Sequence, residues 1–150
     1  MPSNADLARA FFERMWNGHE LELLNQIVAP GCVTHQLRSA TGETPGIKRG
    51  PAELREHIRA WLEAFPDLQW HIDAMVEDGS RVVCWVAATG THRGPWQGVA
   101  ATGRSITIRG AVMQRITEGR IAEVWVVLET LGVYQQLGLV APTQELLKRR

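Results

Sequence analysis

The chain has 150 residues, and 16 Lys and Arg balance 16 Asp and Glu, so its formal net charge is zero. A domain of that length buries roughly 70% of its unfolded surface, enough for a core and a pocket together. The sequence has no sustained basic stripe and no apolar run of membrane-spanning length, which argues against nucleic acid and membrane as partners.

The opening "MPSNADLARAFF" lacks the charged-then-apolar layout of a secretion signal, and Cys32 and Cys84 stand far apart without metal-ligand spacing. Both are read as free thiols of a cytoplasmic protein. Six tryptophans outnumber three phenylalanines and one tyrosine, a bias suited to pocket walls and subunit interfaces.

Ser3 and Asp6 form a capping pair ahead of Leu7, Phe11 and Met15, which share one helix face, and Gly18 stops that helix. "ELELLNQIV" predicts a second short helix ended by Pro30, "CVTHQL" a strand, and "RSATGETPGIKRG" a turn-rich loop. Pro51 opens the helix "PAELREHIRAWLEAF", with Leu54, Ile58, Trp61, Leu62 and Phe65 as its inward stripe. "DLQWHIDAMVE" turns at Asp78-Gly79 into "RVVCWVAATGTH", and "SITIRGAVMQRIT" turns at Glu118-Gly119 into "RIAEVWVVLE". The helix "TLGVYQQLG" and a short basic tail close the chain. Helices first and sheet after predict one α+β domain over residues 1–150, with helices packed on a curved, mostly antiparallel sheet.

Alternation sorts the sheet faces. The expected concave side carries Leu68, Trp70, Ile72, Ala74 and Val76, then Val82, Cys84, Val86, Ala88, Gly90 and His92. The later strands add Ile106, Ile108, Gly110, Val112 and Gln114, then Ala122, Val124, Val126 and Leu128. Trp85, Met113, Trp125 and Val127 fall on the other side, too apolar for a solvated face, and predict a homodimer through the outer sheet face.

Three histidines land on otherwise apolar faces: His35 between Val33 and Leu37, His57 one turn from Leu54 and Trp61, and His92 at a strand end. Histidine exchanges a proton near neutral pH, so all three are candidate acid/base groups facing a cavity. Ala88 and Gly90 predict empty volume beside His92, the space a ligand pocket keeps open. Each histidine also has a plainer reading, as a ring satisfied by a backbone partner. Simple parity puts Glu123 and Glu129 outside, but Glu129 ends its strand and is expected to reach the cavity rim and orient a histidine, or else to favour the following helix N-terminus. No nucleophile elbow, dinucleotide loop or metal-ligand pair is present, so neither a cofactor nor a metal is signalled.

"WNG", "AFPDL", "GTHRGPWQGVAATGR" and "RITEGRIAEVWVVLETLGVYQQLG", with a histidine in the first strand, together resemble the SnoaL-like polyketide cyclases, or ester cyclases, of the nuclear transport factor 2-like superfamily. The resemblance runs over nearly the whole chain. It implies a cone of helices against a strongly bent sheet enclosing one pocket, and a cofactor-free intramolecular aldol closure of a polyketide ester. It also implies an acid/base aspartate at position 126 and a pocket histidine at position 112, both of which are valine here. Met15 and His57 match pocket-lining positions of the family.

Residues and resemblance together give a first hypothesis of cyclase-type acid/base catalysis. His35, His57 and His92 would carry protons, Glu129 would orient one of them, and Gln114 would serve as an oxygen-side donor. Met15, Trp61, Trp70, Ala88, Val112, Gln114 and Val126 would hold a hydrophobic small-molecule substrate. A related cofactor-free isomerase, dehydratase, epoxide hydrolase or hydroxylase fits the same pocket. So does a non-catalytic binding module, which the aliphatic Val112 and Val126 favour.

Overall fold

The chain enters its first helix through a reciprocal cap. The Ser3 hydroxyl accepts the Asp6 backbone N–H and the Asp6 carboxylate accepts that of Ser3, each at 3.0 Å, satisfying two donors the helix start would otherwise orphan. The structure, a computed structural model, describes residues 2–36 and 46–149. Helix α1 (Asn4–Ala10) continues without a break into a π-helical stretch, Phe11–Asn17. There the Gly18 N–H reaches back five residues to the Glu13 carbonyl at 3.1 Å. This stretch buries Phe11, Phe12, Met15 and Trp16 on one face. Asn17 then ties this stretch to the sheet: its side-chain amide exchanges two hydrogen bonds with the Trp70 backbone, both at 2.8 Å.

A single 3-10 turn (Leu21–Leu23) and α2 (Leu24–Ile27) lead into β1 (Val28–Gln36), followed by β2 (Ile47–Lys48) and α3 (Pro51–Ala64). The strand begins before Pro30 rather than after it. Pro30 sits in the irregular stretch between the paired residues Val28 and Val33, where its missing N–H costs no ladder bond. Residues 37–45 lie outside the described structure, and with them Leu37 and most of the expected loop.

The second half is β3 (Gln69–Asp78), β4 (Arg81–Thr91), β5 (Ser105–Thr117) and β6 (Arg120–Leu128), then α4 (Thr130–Gln136) and α5 (Thr143–Lys148). The helix α5 lies where only a basic tail was expected. Among the described residues the sheet has six strands, in the order β2-β1-β6-β5-β4-β3. Only β1 and β6 run parallel; every other pairing is antiparallel. The hairpin at Glu118-Gly119 places both residues at positive φ, 54° and 73°, the mirror-image turn that matches the sheet's right-handed twist. The sheet curls without closing, with α1, the π-helical stretch and α3 on its concave side.

Two bulges revise the expected faces. Asp73 is the extra residue between the pairs Ile72–Val86 and Ala74–Trp85. Beyond it Met75 turns inward, while Ala74 and Val76, expected inside, are exposed. In β6 Ala122 is extra, so Ile121 pairs with Ile116 and is fully buried in the place expected for Ala122. An inserted residue reverses parity past the bulge, which the pattern of side chains alone does not reveal. The other expected inward residues from β4 and β5 are buried, apart from Gly110, which is half-buried.

Phe12, Ile58, Phe65, Leu68 and Ile108 anchor the core at 1% exposure or less, each contributing about 1.5–3 kcal/mol by leaving water. Cys32 and Cys84 are free and buried, and burial first of all pushes both thiols up to about 11. That keeps them in the thiol form at neutral pH. The outer face leaves Trp85, Val127 and Val76 at 55%, 47% and 64% exposure. None of the described helices is long and apolar enough to cross a membrane.

Candidate functional site

One pocket opens between the helices and the concave sheet, with about 590 Å³ of empty space including the open solvent at its mouth. Its walls come from distant parts of the chain. The π-helical stretch contributes Phe11, Phe12 and Trp16; α3 contributes Leu54, His57 and Trp61; β3 contributes Trp70. Val112, Val124, Val126 and Leu128 form the sheet floor. The polar lining groups are Thr34 and Gln36 from β1, Arg49 from the link between β2 and α3, and His57 from α3. Among the described lining residues there is no carboxylate.

Each polar group is placed by local structure. Thr34 and Gln36 face inward because β1 pairs in parallel register with β6, Thr34 beside Val124 and Gln36 beside Val126. The Arg49 backbone N–H donates to the Cys32 carbonyl at 2.8 Å, and its guanidinium Nη1 donates to the Gln36 side-chain oxygen at 3.4 Å. Pro51, in the first turn of α3, sets the helix that carries His57. The His57 ring stands edge-on between Trp16 and Trp61, with centroids 6.4 and 6.5 Å away.

The same register corrects the expectation for His35. It pairs with Trp125 and stacks on that indole at 5.2 Å on the outer face, and its Nε2 bonds to Glu123 Oε2 at 2.6 Å. The His35 hydrogen bond, foremost, holds the Glu123 carboxyl below its ordinary range; burial opposes this, and Arg115 Nε at 3.2 Å adds to it. Val33 and His35 looked like an inward face because the outer face is itself apolar, so alternation gives two similar answers.

His92 is inward and fully buried, but it is not on the pocket wall. The Thr102 backbone N–H donates to His92 Nδ1 at 3.2 Å, and the Thr102 hydroxyl lies 3.0 Å from the same nitrogen. A backbone N–H can only donate, so Nδ1 accepts and the neutral ring carries its proton on Nε2. Phe65 tilts over the ring at 5.4 Å. The volume expected beside Ala88 and Gly90 is filled: a carbon added at Gly90 would lie 3.2 Å from Phe65 Cβ and 3.4 Å from Leu68 Cδ1. His92 also receives the Gly103 N–H on its carbonyl and donates its own N–H to Arg104, at 2.8 and 2.9 Å. It is the latch that closes the loop from residue 93 to 103. That loop is stapled to the end of α3, where the N–H groups of Arg93 and Gly94 donate to the Ala64 carbonyl. Its Trp96 packs on Trp61 at 5.5 Å, so "GTHRGPWQG" buttresses a pocket wall from behind.

Four more expected site residues, Glu129, Met15, Ala88 and Gln114, lie off the pocket wall. Glu129 is exposed at the start of α4 with its carboxylate folded over Gly132, away from the pocket. Met15 is fully buried core and Ala88 packed sheet; neither lines the pocket. Gln114 lies beside the lining residue Val124 on the same face, fully buried and behind the pocket wall. Neither of its amide atoms has a hydrogen-bond partner among the described residues. Trp61, Trp70, Val112, Val126 and His57 do line the pocket. The sequence reading missed Thr34, Gln36 and Arg49. Thr34 and Gln36 had a signal in the opposite parity of "CVTHQ"; Arg49, in an irregular link, had none.

A family model for SnoaL-like polyketide cyclase matches residues 6–137. The chain belongs to the SnoaL-like polyketide cyclase family, with the nuclear transport factor 2-like fold. IdmH of Streptomyces antibioticus, provisionally described as a polyketide cyclase, is 28% identical over 91% of this chain and 99% of its own, with a TM-score of 0.77. A provisionally described polyketide cyclase of Acidithiobacillus ferrooxidans is also 28% identical, over 94% of this chain and 99% of its own, at 0.78. AclR of Streptomyces galilaeus, provisionally described as a hydroxylase, shares the fold at 22% identity, covering 97% of this chain and 88% of its own, at 0.79. A search of curated proteins finds no match.

Proposed function

We propose that this protein is a cofactor-independent cyclase in which His57 is the general base and acid. The observation that carries the reading is that, of the three candidate histidines, His57 alone lines the pocket, and the described lining residues include no carboxylate. In the aldol step, His57 takes the proton from carbon beside a ketone and the enolate carbon attacks a second carbonyl carbon. The new carbon–carbon bond leaves an alkoxide, to which the imidazolium returns the proton. Arg49, Gln36 and Thr34, which line the same pocket, supply donors for the oxygen on which charge develops. The indoles of Trp16 and Trp61 hold the imidazole edge-on and exclude water.

Turnover of an aromatic polyketide with an enolisable ketone, supplied as methyl ester and as free acid, tests this. His57→Ala is expected to lower the rate about 10²–10⁴-fold, the span of a general acid/base group; full activity in that variant overturns the assignment. A second reading, a binding module without catalysis, is favoured by Val112 and Val126, which line the pocket where the family resemblance implies a histidine and an aspartate. It is the answer if the native chain is inactive and Val126→Asp gains turnover. We further infer a homodimer that covers the exposed Trp85 and Val127; a monomer in sedimentation at micromolar concentration overturns it.

A further inference from the structure

Trp70 brings to the pocket wall a polar group that the fold itself does not use. The residue lines the pocket at 6% exposure, and its indole Nε1–H has no hydrogen-bond partner among the described residues. The rings packed on the indole, Phe12 and Trp16 at 5.7 Å each, present no acceptor atom to it. A buried donor left unpaired is unfavourable, and a phenylalanine would line the same wall without it. The indole is also held in place from behind. Its strand, β3, is an edge of the sheet, where alternate residues turn their backbone N–H and C=O away from the neighbouring strand. The Asn17 side chain meets both of these groups at Trp70, each at 2.8 Å. The pocket is the open space that Trp70 borders, so an acceptor for its N–H arrives there as part of a ligand.

We propose that the Trp70 indole N–H is the donor for a ketone oxygen of the ligand, which makes Trp70 a specificity-determining residue and the ligand an aromatic diketone. The inference rests on the reading of this pocket as the ligand site, not on turnover. Two oxygens are required because of where the donors stand. Thr34 and Gln36 come from β1, and β6, β5 and β4 lie between that strand and β3, at about 4.8 Å per step. The oxygen received by Trp70 is therefore a second one, remote from the oxygen on which charge develops at the β1 side. Specificity follows from the unpaired donor: an analogue with a methylene in place of that oxygen keeps the apolar contacts but leaves the N–H unmet.

Calorimetric binding of 2,6-diacetylnaphthalene and of 2-acetyl-6-isopropenylnaphthalene, in which a methylene replaces one ketone oxygen, tests this on the full chain separately from catalysis. The diketone is expected to bind about fivefold to tenfold more tightly, the scale of one hydrogen bond to a buried donor. Trp70→Phe should erase that ratio even if it weakens both probes together. Replacement of Trp70 by benzothienylalanine, which keeps the bicyclic ring and lacks the N–H, should erase it too, and serves if the phenylalanine variant fails to fold. His57→Gln should keep the ratio. In the proton spectrum of the native chain, the indole resonance that Trp70→Phe removes should move downfield when the diketone binds. Equal affinity for the two probes in the native chain overturns the proposal while leaving the catalytic reading of His57 intact. Binding of neither probe overturns it as well, as does an indole resonance that stays in place. A ratio preserved in the Trp70 variants, with stability lost, would give the N–H a packing role against its neighbouring rings instead.

Discussion

His57 and His92 are both inward-facing rings set among aromatic side chains, yet they occupy opposite kinds of space. His57 borders open volume between Trp16 and Trp61. His92 is sealed under Phe65, its Nδ1 committed to Thr102. Facing inward is therefore not the same as facing the pocket. What decides is whether the opposing layer fills the space. Phe65 and Leu68 fill it at the Gly90 end of the sheet, whereas at the Val126 end the floor is left uncovered as the pocket.

The contrast can be broken most sharply by exchanging losses. His57→Ala should cost rate, as above, with a small change in melting temperature. His92→Ala should instead empty a packed site and release the loop latch, costing about 2–4 kcal/mol of stability, as large-to-small core changes do. Ligand affinity measured below the lowered melting temperature should be nearly unchanged. Strong loss of affinity without loss of stability in His92→Ala would return that ring to the pocket.

Ala88→Leu probes the same difference more gently. In a packed sheet interior the added carbons have no room, so the variant should lose about 1–3 kcal/mol in a thermal or denaturant melt. Unchanged stability with blocked ligand binding would mean that space beside Ala88 is open after all.

The smallest expected effect belongs to the outer face, where His35 and Arg115 hold the Glu123 carboxyl low. A carboxyl whose folded value is lowered contributes stability that is present above its unfolded value and is lost as pH falls through the folded one. The native chain should therefore shed a small increment, under about 1 kcal/mol for a half-buried, solvent-screened cluster, on acidification through the carboxylate range. Glu123→Gln should remove that increment from the pH profile. Identical acid profiles for the two chains would show that the cluster is energetically silent.

Much of the architecture was legible in the residues. The Ser3–Asp6 cap, Pro51 at a helix start, the turns at Gly79 and Gly119, and the burial of Val82, Cys84, Val86, Ile106 and Ile108 all follow from spacing and local chemistry. These are decided within a few residues, by hydrogen-bond donors at chain ends and by period-two alternation. The candidate site was legible only in part, with His57, Trp61, Trp70, Val112 and Val126 placed on its wall.

The tertiary structure decided the rest. Bulges at Asp73 and Ala122 reversed parity without a mark in the pattern. The parallel register of β1 on β6 sent His35 out and brought Thr34 and Gln36 in, a choice made between strands more than eighty residues apart. Arg49 entered the wall through an irregular link that has no periodicity to read. Whether an inward position meets a cavity or a side chain depends on what another element places opposite it. For His92 that element was the end of α3 with Phe65, and nothing in the sequence around His92 encodes it.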